Sequence, residues 1–72
     1  MVIQIEIHAM PWRGPGCFQA TIEQEVEGQL VHVESREFTR RMKNRSRMID
    51  WIAWELELLA GQFNREMAAK TM

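Results

Sequence analysis

The sequence predicts an α+β domain of βββα order: a three-stranded antiparallel β-meander followed by one long C-terminal α-helix packed on one sheet face. Three observations predict it. Apolar and polar residues alternate in three stretches up to about residue 38. Pro and Gly clusters interrupt those stretches, and from about residue 46 the apolar spacing lengthens to three and four.

The first stretch, Val2 to Ala9, sets Ile3, Ile5 and Ile7 against Gln4, Glu6 and His8. β-Branched residues at period two mark a half-buried strand. Met10-Pro11-Trp12-Arg13-Gly14-Pro15-Gly16 ends it, because two prolines and two glycines sustain neither strand nor helix. Trp12 is expected to lid one end of the core. Phe18, Ala20 and Ile22 then alternate with Gln19, Thr21 and Glu23, and Glu27-Gly28 reads as a two-residue hairpin turn. Leu30 to Phe38 is the third strand, with Val31 and Val33 facing inward. Pairing Val26 with Gln29 sets Ile22 opposite Val33, Gln24 opposite Val31 and His32 opposite Glu23.

From Arg47 to about Ala69, Ile49, Ile52, Leu56, Leu59 and Phe63 recur at helical spacing, with Ala60 and Met67 on the same arc. Ser46 is the expected N-cap and Asp50 falls near the first turn. Residues 39–46 form a basic connector. The chain thus reads as a single domain, 1–72, with the meander in 1–38 and the helix in 47–69.

Composition bounds the function. Of 72 residues, 46% are hydrophobic and 26% charged, as in a folded globular chain. A core this small is marginal, and disulfides within the chain cannot reinforce it because Cys17 is the single cysteine. No apolar run reaches the roughly 20 residues that span a bilayer. The opening MVIQIEIHAM lacks a basic leader pattern. A cytoplasmic protein with no membrane partner is expected. The net charge of −1 hides two unlike halves. Residues 1–37 carry six acids against two bases, and residues 38–72 carry seven bases against four acids.

Three surfaces are candidates for binding. Trp51, Trp54, Leu58 and Arg65 fall opposite the expected core arc of the helix, which one sheet cannot cover on both sides. They are the expected interface of a homodimer or of a larger protein or nucleoprotein partner. Glu6, Glu23, Glu25 and Glu34 lie on the expected outer sheet face and make it acidic, either solvated or docking a basic partner. Arg40, Arg41, Lys43, Arg45 and Arg47 form a basic run suited to an anion or to nucleic-acid phosphates.

Chemistry is sparsely represented. Cys17 can approach His8 across the first hairpin, the minimum for an activated nucleophile, but no orienting acid accompanies them. His8, Cys17 and His32 lack the paired spacing of structural zinc sites. No catalytic residue, metal or cofactor is expected. The reading is a small non-enzymatic regulatory protein that acts by surface contact. In size and in its acidic, motif-free surface it resembles the phage and mobile-element proteins that inhibit host machinery, anti-CRISPR proteins among them. The alternative is a nucleic-acid-binding module using residues 40–47. The strand-and-helix order is similar to that of integrase arm-binding domains, but those read DNA with the sheet, and carboxylates there repel phosphate.

Overall fold

The computed structural model describes residues 2–71, with side chains at the end of the helix described as far as Ala68. Three antiparallel strands, β1 (Ile3–Ala9), β2 (Phe18–Val26) and β3 (Gln29–Phe38), form one sheet in the order β1-β2-β3. A single turn of 3-10 helix, Pro11–Arg13, lies in the first connection, and α1 (Asn44–Thr71) follows the sheet.

Each strand forms where the alternation places it. Ile5 pairs with Ile22 and Ile7 with Ala20, so the apolar rows of β1 and β2 share one face. The second hairpin closes through Glu27 (φ 53°) and Gly28 (φ 81°), two left-handed residues whose twist suits adjoining strands. Glycine takes that conformation freely, whereas Glu27 adopts it at a cost of about 1 kcal/mol.

The expected β2·β3 register holds at Val26–Gln29, Gln24–Val31 and Glu23–His32, then slips by one residue. Ile22 faces Glu34 rather than Val33, and Val33 becomes the extra residue of a β-bulge. The slip reverses the alternation beyond it. Glu34 leaves the acidic outer face and joins the row of Ile5 and Ile22, while Glu37 takes an outward position opposite Gln19.

The helix differs from expectation in start and rotation. It begins at Asn44, so Ser46 lies inside it and the connector shortens to residues 39–43. Lys43 precedes the first turn with φ 63° and its carbonyl accepts from the Arg47 N–H at 2.9 Å. The Asn44 Nδ2 donates to the Gly16 carbonyl at 2.9 Å, tying the helix start to the Pro-Gly loop. The buried line along α1 is Asn44, Met48, Trp51, Glu55 and Leu59. At 100° per residue this is about a quarter-turn from the predicted arc.

The core is accordingly Ala20, Ile22, Phe38, Met48, Trp51 and Leu59, with Ile3, Phe18, Val33 and Ile52 packed around it. Trp51 meets Phe38 at 5.8 Å between ring centroids, tilted by 60°. The backbone of α1 approaches β2 and β3 but not β1. The molecule measures 51 × 22 × 11 Å, and its radius of gyration is 14.9 Å against about 11 Å for a compact chain of this length.

Candidate protein-binding surface

Of the predicted helix interface, Trp51 is 7% exposed and belongs to the core; it is not part of a binding face. Trp54, 56% exposed, Leu58 and Arg65 remain at the surface. Trp54 lines a shallow hollow with Arg36, Arg47, Asp50 and the edge of Trp51. Because Arg36 belongs to β3, this flank of α1 looks toward the β3 edge. The opposite flank, bearing Ile49, Leu56 and Phe63, therefore overlooks β1.

That second flank is the surface that periodicity assigned to the core. Ile49 is 54% exposed and Phe63 is also exposed, with Leu56 partly so. On the sheet beneath, Ile5 is 37% and Ile7 50% exposed, although both point to the helix side. The quarter-turn of α1 has placed Trp51 over β3 and left Ile5, Ile7 and the Ile49 flank largely uncovered, while Ile3 still packs against the core. An apolar row on a strand beside an apolar helix flank is what a partner's apolar surface would complete.

The edge of β1 is open as well. The Val2 carbonyl accepts from the Glu25 N–H at 2.9 Å, and the Met10 N–H donates to the Cys17 carbonyl at 2.8 Å. Even-numbered residues of β1 thus turn their backbone groups to β2. Ile3, Ile5, Ile7 and Ala9 direct theirs outward.

The outer face keeps Glu6, Glu23 and Glu25, joined by Glu37 in place of Glu34. Glu6 accepts from the Gln4 Nε2 at 3.0 Å and lies 3.4 Å from the His8 Nε2. His8 is thereby turned to a carboxylate, and Cys17 is buried under the 11–16 loop with its Sγ donating to the Arg13 carbonyl at 3.5 Å. The two do not form a nucleophile pair. Trp12 does not lid the core: it stands 76% exposed on the 3-10 turn. Among the described residues, no three His, Cys, Asp or Glu side chains converge as a metal site would require.

One constellation was missed by the sequence reading. The bulge sets His32 and Ser35, three residues apart, on the same side of β3. The His32 Nε2 lies 2.8 Å from the Ser35 Oγ, which donates to the Thr21 Oγ1 at 3.1 Å. The group is a polar stitch between β2 and β3. No signal short of the bulge itself predicts it.

The basic run is divided rather than continuous. Arg41, Lys43 and Arg45 line a cavity of about 280 Å³ at the start of α1, with Pro15, Gly16, Asn44 and Ser46. Arg40 and Arg41 line a second hollow with Arg13, Cys17 and Thr39. Arg47 lies on the Trp54 flank. No family model, curated protein or solved structure matches the chain. Among the described residues, no helix is long and apolar enough to cross a membrane.

Proposed function

We propose that this chain is a small non-enzymatic protein-binding domain that regulates by surface contact and works as a homodimer. The observation that carries this reading is the uncovered apolar surface of Ile5 and Ile7 on β1 with Ile49 and Phe63 on α1. The non-enzymatic part rests on the placement of the reactive groups: Cys17 is buried and bonded to backbone, and His8 is turned to Glu6. An inhibitor or regulator of a larger cytoplasmic assembly, of the phage-borne kind that the size and acidic outer face suggest, is the corresponding biological role. Sedimentation equilibrium tests the surface. Ile49→Ser combined with Phe63→Ser is expected to weaken self-association at least 10-fold while leaving the unfolding transition nearly in place. A wild type that stays monomeric at millimolar concentration contradicts the reading.

A second reading, nucleic-acid contact, is favoured by one observation. The first turn of α1 holds no acid, while Arg41, Lys43 and Arg45 surround it, so side-chain charge adds to the positive helix end. An anion there would relieve that repulsion. Salt-dependent DNA binding, lost when Arg40, Arg41 and Lys43 become Ala, would support this reading.

A further inference from the structure

The two edges of the sheet are built differently. The β3 edge carries a bulge at Val33, and the helix-side row there includes two charged residues, Glu34 and Arg36. Bulges and inward-pointing charges are the devices by which sheet edges avoid pairing with other chains. Along its seven residues β1 has none of them: no proline, no bulge, and isoleucine at three of its four helix-side positions, with Ala9 at the fourth. Its outward N–H and C=O groups belong to those same isoleucines.

From this asymmetry we infer that β1 pairs antiparallel with β1 of a second copy, joining two three-stranded sheets into one of six strands. The inference rests on the homodimer reading above and gives it a geometry. Charge and strand length together select the register, because an axis centred on Ile7 would set Ile3 against Pro11, outside the strand. The outward backbone groups belong to odd-numbered residues, so odd must face odd across the two-fold axis. Centring the axis on Glu6 sets Glu6 against its own copy in a non-hydrogen-bonded pair, where side chains come closest. Centring it on Ile5 sets Ile5 against Ile5, Ile3 against Ile7, and Gln4 against Glu6 on both sides of the axis. Gln4 is an amide donor that already bonds Glu6 within its own strand at 3.0 Å. The Ile5-centred register therefore replaces a carboxylate repulsion with two amide–carboxylate pairs. It also brings the two isoleucine rows together between the helices, with the Ile49 flanks as walls.

The chain exposes 5718 Å², on the order of 1,000 Å² more than a compact monomer of 8.5 kDa. The exposed second half of α1 contributes to that excess, and Ile5, Ile7 and Ile49 are an apolar part of it beside the open edge.

The test combines solution mass with directed cross-linking. Gln4→Cys and Glu6→Cys chains, altered on the outer face and keeping the buried Cys17, are mixed in equal amounts and oxidised with oxidised glutathione. Residues in a non-hydrogen-bonded pair sit about 4.5 Å apart at Cα, within the range a disulfide spans. The expected result is a disulfide-linked product containing one chain of each type, with far less from either chain alone, and a wild-type mass of twice the monomer. A wild-type dimer that yields no mixed product overturns the β1 pairing but leaves the protein-binding reading standing. Efficient cross-linking of Glu6→Cys alone overturns the register. A wild type that is monomeric at all concentrations overturns both the pairing and the homodimer reading beneath it.

Discussion

The β1 and β3 edges flank the same central strand, yet the helix seals the far end of β3 and leaves the middle of β1 open, while Val31 near the β3 turn is also 48% exposed. At β3, Phe38 is sealed under Trp51, and the Arg36 guanidinium sits 5.8 Å from the Phe38 ring centroid. At β1, Ile5 and Ile7 have no helix above them. The difference follows from one rotational choice. A helix about 10 Å wide covers roughly two strands spaced 4.8 Å apart, so a third strand stays open whichever way α1 turns. Trp51 draws it toward β3, and the open strand is the one that carries no edge protection.

Removing the cover on the β3 side should have the largest effect. Trp51→Ala deletes the ring that packs on Phe38 and is expected to cost about 4 kcal/mol, enough to unfold much of the population at 37 °C, read by thermal denaturation. Trp54→Ala, on the solvent side of the same helix, is expected to change stability by no more than about 0.5 kcal/mol.

Giving β1 the protection that β3 has is the next test. Ile5→Lys places an inward charge on the open edge and is expected to weaken self-association at least 100-fold, about 2.8 kcal/mol, by sedimentation. A dimer that survives this change would show that the two edges are not distinguished by their inward charges. The converse change sharpens the same point. Glu34→Val with Arg36→Val removes the inward charges of β3, and light scattering is expected to detect assemblies larger than the dimer. The smallest effect bears on neither edge. Glu27→Asn suits the left-handed turn position and is expected to raise stability by about 0.5 kcal/mol without altering association.

Much of this architecture was legible in the sequence. The three strands, the Glu27-Gly28 turn and the presence of a long helix follow from alternation, turn chemistry and apolar period. The helix rotation did not, because apolar side chains occupy more than half the circumference of α1. Periodicity then favours the all-apolar arc through Ile49, Leu56 and Phe63. The face that packs includes Asn44, bonded to the Gly16 carbonyl, and Glu55, which a rule of apolar residues inside discards. The bulge was equally hidden, since His32-Val33-Glu34 contains neither glycine nor proline to announce it. These two misses account for the misplaced sites. Trp51 and Glu34 changed faces, and the surface beside β1 came from residues first assigned to the core.

The most direct test compares the edges in the unmodified protein by residue-resolved amide hydrogen exchange. The outward amides of Ile3, Ile5 and Ile7 should be protected to nearly the degree of the β2 amides, while the solvent-side amides of β3 exchange rapidly. Rapid exchange at all three isoleucines, with β2 protected, would contradict the account, because β1 would then be as bare in solution as it is in the isolated chain.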